Sequence, residues 1–481
     1  MIDINTKGIV KNFFSLTFSN IIGQAITFLT TIYIARKFGP TEFGIINFAN
    51  VFVSYFILIS TVGLPNLGII NITKDESKLS YYVNKILSLR GLLSVVAMGL
   101  LLLVVPFLDK SGDVKTMILI NGITILSTGF FIDWVFQALQ KMSYVAYANL
   151  LRNVIYGIVL VGSIASGIYT KIYIVPISLA ISGVIGTIYL LLIYRYKEKQ
   201  KIKFDLTIKD SKIMVVAAVP FFFSGIFAAF NNNIDILMLG FLKSSYEVGL
   251  YSAVYKFINI ITVFISFLFT PLYPYLIKYY HEKNWSVLNT LVNKLTKFVY
   301  LLAIPMLVGA LALRDDVILT VYGSKFLTSD VQFIFVVLMI HVTILFIREI
   351  YGYELTAWGF QTTYMKIIMC SSLFNILANF IFIPFFGLRA AALATLISEI
   401  INVIFMRRVS KKAVDIKLEK KYFIGIFFSS FVMGLTVYLL RSFVFQNIFG
   451  LVAIGMIVYG ILILLTKVLT KDELKYLKRG G

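Results

Sequence analysis

The sequence YIARKFGPTEFGIINFA, residues 33–49, contains the first break between two long apolar segments of this chain. Its centre is the pair Gly39-Pro40, and glycine and proline interrupt regular structure, so this pair predicts a turn. Glu42 follows at the start of the next apolar run, where a carboxylate interacts favourably with the dipole at a helix N-terminus. We therefore interpret the stretch as a junction between two helices.

The composition of the whole chain predicts the kind of protein that contains this junction. Of its 481 residues, 59% are hydrophobic and 14% are charged. Apolar runs of about 18 residues or more recur along the chain, and this is the length of a helix that crosses a bilayer. The strands of a buried sheet stay apolar over only about 4–8 residues. The sequence therefore predicts an all-α membrane protein that crosses the bilayer many times.

Hydropathy predicts fourteen membrane spans, separated by short polar or glycine-bearing and proline-bearing turns. Each span is long enough to cross about 30 Å of hydrocarbon as a helix. The spans lie near residues 12–34, 43–64, 84–108, 114–138, 143–168, 172–195, 213–240, 247–274, 290–313, 331–356, 363–386, 389–408, 422–441 and 447–467.

Lysine and arginine predict the orientation of these spans. With a cytoplasmic N-terminus, about 28 of these residues fall in inside segments and about ten in outside segments. Positive charge accumulates on cytoplasmic loops, so both termini are predicted to be cytoplasmic. The same bias accounts for most of the net charge of +21, which removes the main argument for a nucleic-acid partner. We expect contacts with membrane lipids and none with nucleic acid.

Cysteine and histidine usage predicts no metal site. The only cysteine, Cys370, excludes an internal disulfide, and His281 and His341 are far apart in the sequence. The N-terminal residues lack the features of a removable signal peptide, so we expect the first span to act as an uncleaved signal. We expect no cofactor, apart from a coupling ion, H⁺ or Na⁺.

Two long basic loops, near residues 197–212 and 407–421, divide the spans into groups of six, six and two. The predicted domains are residues 1–205 and 206–415, each with six helices, and residues 416–481, with two helices and a basic cytoplasmic tail. Even numbers of spans give both six-helix units the same orientation. A faint repeat supports this division, because EFGI at 42–45 recurs as EVGL at 247–250 at the same junction of the second unit.

The segment at 33–49 resembles the first signature of bacterial polysaccharide repeat-unit flippases. These proteins export O-antigen and capsule precursors and belong to the multidrug/oligosaccharidyl-lipid/polysaccharide exporter superfamily. The second half is similar to the same pattern. The matching positions there are Asn232, Asp235, Leu239, Gly240, Val248, Gly249, Tyr251 and Lys256.

This resemblance implies two pseudo-symmetric six-helix bundles around a central cavity, with two further C-terminal helices outside them. It also implies a function, the flipping of polyprenyl-diphosphate-linked oligosaccharide repeat units by alternating access. The expected location is the bacterial cytoplasmic membrane. The expected partners are the lipid-linked oligosaccharide and, in the assembly pathway, a polysaccharide polymerase and chain-length machinery.

Cations inside the spans are the candidate substrate-binding residues. A charge at the bilayer centre costs about 2.5–3.5 kcal/mol on insertion scales, so it normally faces a partner or a water-filled cavity. Arg152 lies roughly 15 Å into its span and Lys256 roughly 13 Å into its span, while Arg90 is shallower. Arg348 lies toward the cytoplasmic end of span ten. These four cations predict a positively charged lumen that suits an anionic cargo.

Polar and acidic residues in the spans are candidates for ion coupling or for lining the lumen. Asp235 follows Asn231 and Asn232, an unusual polar group for a lipid-embedded helix, and interhelical hydrogen bonding is its alternative role. Asp133 and Glu399 lie inside two other spans. An ion pair between Arg348 and the adjacent Glu349 is not assumed, since consecutive helical residues do not face each other.

Two other functions remain open. A cation-coupled multidrug antiporter of the same superfamily would suit a lumen dominated by acids. A membrane glycan polymerase or ligase would need acid/base groups on an accessible surface, and the longest predicted outside segment runs only from about Arg314 to Asp330. The chain contains no GxxxxGK[ST] phosphate loop. We therefore predict a transporter without catalytic residues.

Overall fold

The computed structural model describes residues 6–269, 271–416, 421–443 and 447–469. In these ranges the regular elements are all helices, which confirms the predicted all-α fold. Internal packing divides the chain into a first unit, Met1–Gly249, and a second unit, Leu250–Gly481. The first unit includes the helix after the first basic loop. The predicted domains 1–205, 206–415 and 416–481 stay a prediction.

The first unit contains α1 (Thr6–Phe38), α2 (Pro40–Thr61), α3 (Leu64–Lys74), α4 (Leu79–Val104), α5 (Gly112–Gly129), α6 (Asp133–Ala138), α7 (Met142–Ala165), α8 (Ile174–Tyr196) and α9 (Ile208–Leu242). Helix α10 (Ser245–Phe269) begins in this unit and continues into the second. The second unit then contains α11 (Tyr273–His281), α12 (Trp285–Ala312), α13 (Arg314–Tyr322), α14 (Ser329–Ala357), α15 (Gln361–Ala413), α16 (Lys421–Phe443) and α17 (Ile448–Leu465).

The fourteen predicted spans each coincide with a helix or with part of one, except the span at 114–138, which covers two consecutive helices. By length and composition alone, 11 helices among the described residues are able to cross a membrane. Helix α15 is one of these and contains two predicted spans, while α1 and α10 coincide with two more. The multi-pass class is therefore confirmed.

The 53 residues of α15 form two helices that meet at Gly387, where φ is 58° and ψ is −137°. Only glycine adopts this backbone conformation readily, since it has no Cβ. The Asn375 side chain donates to the Thr395 hydroxyl over 3.4 Å, as expected for two antiparallel helices that flank the break. Arg389, beside the turn, is paired with Asp330 at 2.6 Å at the start of α14.

One predicted span is interrupted, and several short helices were not predicted. The span at 114–138 is broken between Gly129 and Asp133, so that α5 and α6 are separate. Helices α3, α11 and α13 lie in segments that we interpreted as loops or span ends. They have only 9 to 11 residues, too few to cross the bilayer and to appear in a hydropathy profile.

The junction at 33–49 folds as predicted. Gly39 ends α1 with φ at 83°, a conformation that favours glycine, and Pro40 begins α2 at a position that needs no backbone donor. Gly44, one turn later, packs against the first turn of α10. A Cβ on Gly44 would overlap the Ser245 carbonyl oxygen, and a Cβ on Gly249 would overlap the Pro40 carbonyl oxygen. The two copies of the repeat, EFGI at 42–45 and EVGL at 247–250, thus contact each other at their glycines, Gly44 and Gly249.

Polar contacts between helices join segments that the sequence places on the same side of the membrane. On the predicted outer side, Tyr173 donates to Asp113 over 2.9 Å. On the predicted inner side, Lys141 is paired with Glu198 at 2.6 Å. Because these contacts lie at helix ends, they agree with the predicted alternation of inside and outside turns.

Candidate functional site

Arg90 lies at the break between α5 and α6 in the first unit. Its side chain comes from α4, is 3% exposed, and donates to the Thr128 carbonyl over 2.6 Å and to the Phe131 carbonyl over 2.8 Å. The last carbonyls of a helix lack intrahelical donors, and a buried break needs donors from elsewhere. The guanidinium therefore adds donors at this break and fixes the segment that precedes Asp133.

Arg152 approaches the same segment from α7. Its guanidinium carbon lies 4.6 Å from the centre of the Phe131 ring, a cation–π contact, and its side chain is half-buried. The aliphatic part packs on Gly186 of α8, where any Cβ would overlap the Arg152 Cγ. The space at Gly186 thus lets a long cation lie between two membrane helices.

Asp133 completes this group, which we call the α5–α6 cluster and define as Arg90, Asp133 and Arg152. The carboxylate lies within electrostatic range of both guanidinium groups and accepts a hydrogen bond from Gln137 over 3.1 Å. Three predicted site residues are thereby brought together. With two cations and one anion, the cluster keeps one positive charge inside the spans.

A second group of predicted site residues meets in the second unit. Arg348 of α14 pairs with Glu349 at 2.7 Å and with Glu399 of α15 at 2.6 Å. Its Nη1 also donates to the Tyr364 hydroxyl over 3.4 Å, and Asn402 donates to Glu399 over 3.2 Å. We call Arg348, Glu349 and Glu399 the α14–α15 cluster. One cation and two carboxylates give this cluster an excess of one negative charge.

The pairing of Arg348 with Glu349 was not expected. Consecutive residues point to different sides of a helix, but the forked guanidinium of Arg348 reaches two carboxylates. Its Nη2 lies 2.7 Å from Glu349, and its Nε lies 2.6 Å from Glu399 of the facing helix.

The remaining predicted residues lie outside both clusters. Asp235 is buried on α9 and within electrostatic range of Tyr55 of α2. Asn231 and Asn232, one turn earlier, are exposed. Lys256 lies in the second unit on α10 and is half-buried.

Two buried ionisable residues were missed by the sequence interpretation as a site. Lys85, at the start of the predicted span 84–108, is 1% exposed and pairs with Asp205 at 2.9 Å. Glu354, also 1% exposed, accepts a hydrogen bond of 2.5 Å from the Ser410 hydroxyl of α15. The available signal for Lys85 was its place five residues before Arg90, on the same predicted helix. No comparable signal links Glu354 to Ser410.

Asp205 lies in the loop between α8 and α9, outside the spans. The Lys85 ammonium, followed by the hydroxyl and amide of Thr207, lowers the pKa of Asp205 to about 2. The carboxylate therefore stays ionised and fixes the loop to α4 at neutral pH.

The arrangement of these helices is shared with known transporters. The structure is similar to the lipid II flippase MurJ in an inward closed conformation, with a TM-score of 0.75, 18% identity, and coverage of 96% of this chain and 99% of that one. It is also similar to an inward-facing multidrug resistance MATE family transporter of the MOP superfamily, with a TM-score of 0.63, 10% identity, and coverage of 84% and 98%. The chain thus shares its fold with these two membrane transporters.

The chain belongs to the polysaccharide biosynthesis protein family, whose model matches residues 9–280. It is 21% identical to a probable low-salt glycan biosynthesis flippase, Agl15, of Haloferax volcanii, over 98% of this chain and 99% of that protein. It is 20% identical to the capsular polysaccharide biosynthesis protein CapF of Staphylococcus aureus, over 82% of this chain and 97% of that protein.

Proposed function

We propose that the protein flips polyprenyl-diphosphate-linked oligosaccharide repeat units across the cytoplasmic membrane of a bacterium, with both termini in the cytoplasm. The observation that carries this proposal is the net positive charge of the α5–α6 cluster. Two guanidinium groups and a single carboxylate lie together inside the spans of the first unit. A buried positive charge is costly, and an anionic cargo compensates for it.

The chemistry of the cargo fits this charge. A lipid-linked oligosaccharide carries a diphosphate between its polyprenyl tail and its sugars, and arginine offers a planar fork of donors to phosphate oxygens. The relatives named for glycan or capsule biosynthesis support the same cargo class. A polysaccharide polymerase and chain-length proteins would then take the flipped product.

The cations have different roles in this proposal. Arg152 and Lys256 are half-buried, and we assign them to the cargo. Arg90 already donates to two carbonyls and is a positioning residue, since it holds the segment on which Arg152 rests. Arg348 is paired with two carboxylates, so its charge is more than neutralised. Alternating access then exposes the cargo site to each side in turn.

The membrane potential favours movement of this anionic cargo out of the cell. Moving two negative charges outward through a potential of 100 mV, negative inside, releases about 2 × 2.3, or roughly 4.6, kcal/mol if nothing else moves. We further infer that a coupling ion, H⁺ or Na⁺, binds at the α14–α15 cluster, where carboxylates exceed cations. Replacing Glu399 by Gln should then make export independent of the ion gradient.

The test is rescue of surface polysaccharide in a strain that lacks its own flippase. Arg152→Ala should abolish display while the protein remains in the membrane, and Arg152→Lys should retain part of it, because lysine keeps the charge and loses the fork. Lys366→Ala is the matched control, a helical cation that is exposed. Full display by Arg152→Ala would contradict the role of the cluster.

A vesicle assay separates this function from the two alternatives. The purified protein should translocate a polyprenyl-diphosphate oligosaccharide and leave a cationic dye untouched. Transport of the dye alone would favour a multidrug antiporter. Lengthening of the glycan without translocation would favour a polymerase or ligase.

A further inference from the structure

An open pocket of about 460 Å³ lies between the end of α8 and the loop that follows it, at one end of the first unit. Its walls combine apolar and basic side chains. The lining residues are Leu191, Leu192, Arg195, Gln200, Lys201, Ile202 and Lys203. We call this cavity the α8 pocket. Its position next to helix ends that carry many cations places it at the cytoplasmic membrane surface in the orientation predicted from charge.

The backbone of the loop forms one wall of the pocket, and hydrogen bonds to α4 hold it in place. The Lys203 amide donates to the Asn84 side chain over 2.9 Å, and the Asp205 amide donates to the Ser88 hydroxyl over 2.8 Å. Both acceptors lie on α4. These bonds hold the loop against the helix, so Lys201 and Lys203 are presented from an ordered segment.

The acids of the loop are engaged away from the pocket. Glu198 pairs with Lys141 at 2.6 Å, and Asp205 pairs with Lys85 at 2.9 Å. Within the described part of the chain, no ion pair involves the side chains of the three lining cations, Arg195, Lys201 and Lys203, and no lining residue is acidic. The pocket therefore carries an uncompensated charge of three cations.

Apolar groups next to these cations indicate an amphipathic ligand. Leu191 and Leu192 line the pocket, and the neighbouring Tyr196 and Phe204 are 70% and 71% exposed. Aromatic side chains with this exposure suit the headgroup level of a bilayer. A free phosphate would use the cations but not the apolar wall.

We propose that the α8 pocket binds the headgroup of an anionic phospholipid, with its acyl chains along Leu191 and Leu192. Charge complementarity carries the choice, because clusters of basic residues next to a membrane helix attract anionic lipids. The site is separate from the α5–α6 cluster and does not rest on the identity of the cargo. The lipid would fix the loop that joins α8 to α9.

The test is a native mass spectrometry titration of the full-length protein in detergent with phosphatidylglycerol, with phosphatidylcholine as the neutral reference. We expect preferential retention of phosphatidylglycerol. One cation near an anionic surface raises affinity about fivefold, so Lys201→Gln combined with Lys203→Gln should weaken binding about 25-fold. Lys201→Arg combined with Lys203→Arg should retain phosphatidylglycerol binding.

The matched control is Lys197→Gln combined with Lys199→Gln, which removes the same charge from the same loop outside the pocket. It should bind phosphatidylglycerol as the unmodified protein does. Equal losses in both double variants, or equal binding of the two lipids, would overturn the proposal. Preferential capture of a polyprenyl diphosphate in a parallel titration would assign the pocket to the cargo and overturn it as well.

Discussion

At the residue scale, Arg90 and Arg152 show how two cations in one cluster serve different purposes. Arg90 is buried and donates to two backbone carbonyls, whereas Arg152 lies on an aromatic ring and stays half-buried. Sequence position gave both the same role, because each is an arginine inside a span. Only the contacts distinguish a guanidinium that holds the backbone from one that can meet a ligand.

Replacing Arg90 by Met should destabilise the first unit. The change removes a charged donor from two carbonyls at a buried break, and a buried acceptor that loses its partner costs about 1–3 kcal/mol. The measurement is the thermal unfolding midpoint in detergent. Lys366→Met is the control, an exposed helical cation that should leave the midpoint nearly unchanged. Equal midpoints for both variants would show that Arg90 holds no backbone.

Asp205 makes the loop between α8 and α9 sensitive to acid. The pKa of Asp205 is lowered to about 2, chiefly by Lys85, from an unfolded value of about 3.9. A carboxylate with a depressed pKa stabilises the folded loop fully above about pH 4, and this contribution is lost as the pH falls toward 2.

We therefore expect limited proteolysis of this loop to accelerate as the pH falls from 4 to 2. The measurement uses an acid-active protease whose activity at each pH is normalised on an unstructured peptide. Asp205→Asn should give rapid cleavage at neutral pH already. Asp109→Asn, which changes an exposed carboxylate in another turn, is the control. It should not accelerate cleavage of this loop at neutral pH. Slow cleavage of Asp205→Asn at pH 7 would contradict the anchoring role of the ion pair.

At the element scale, helix breaks are as important as the helices. The break between α5 and α6 supplies the carbonyls that Arg90 binds, and Gly387 divides α15 into two antiparallel helices. The break at Gly387 lies between the predicted spans 363–386 and 389–408, whereas the break between Gly129 and Asp133 lies inside the single predicted span 114–138. The junction at 39–40 was recognisable because glycine and proline stand beside charged residues there.

The glycine contact between α2 and α10 should not tolerate a methyl group. In Gly44→Ala the new Cβ would overlap the Ser245 carbonyl oxygen, so the helix ends must separate, with an expected loss of about 1–3 kcal/mol and reduced export. Thermal unfolding and polysaccharide display are the measurements.

Gly99→Ala on α4 is the control for this variant. No atom of another element lies within 4 Å of its added Cβ, and alanine should stabilise the helix by about 0.5–1 kcal/mol. Gly249→Ala should behave like Gly44→Ala, since it meets the Pro40 carbonyl oxygen. If Gly44→Ala instead resembles Gly99→Ala in both measurements, the close approach of the two helices is not needed.

At the scale of the whole molecule, orientation is the property that the packing alone does not define. Contacts such as Tyr173 with Asp113 and Lys141 with Glu198 join turns on the same predicted side. They agree equally well with either orientation of the complete set. The distribution of lysine and arginine breaks this symmetry and predicts cytoplasmic termini.

Cysteine labelling tests the orientation in the full-length chain. In a Cys370→Ser background, Ser111→Cys and Lys325→Cys should react with a membrane-impermeant maleimide added to intact cells. Lys197→Cys and Asp415→Cys should react only after the membrane is opened, and therefore serve as internal controls. Labelling of either of the latter pair in intact cells would reverse the topology.

The sequence by itself determined the class of this protein, the number and position of its spans, and the repeat that marks its two halves. These properties follow from local composition, because a bilayer selects apolar helices of a set length and a biased charge distribution. It also selected the side chains of both clusters apart from Glu349, since ionisable residues are rare in spans.

Tertiary structure alone decided how these side chains are used. The partners of a buried charge come from other helices, at sequence distances that no pattern of one helix encodes. Arg348 meets Glu399 across α14 and α15, Lys85 meets Asp205 from a later loop, and Gly44 meets the first turn of α10. In a low-dielectric interior such a partner determines whether a cation is neutralised or remains available to an anion. The strength of this interaction depends on the distance between the two charges, and only the folded chain defines that distance.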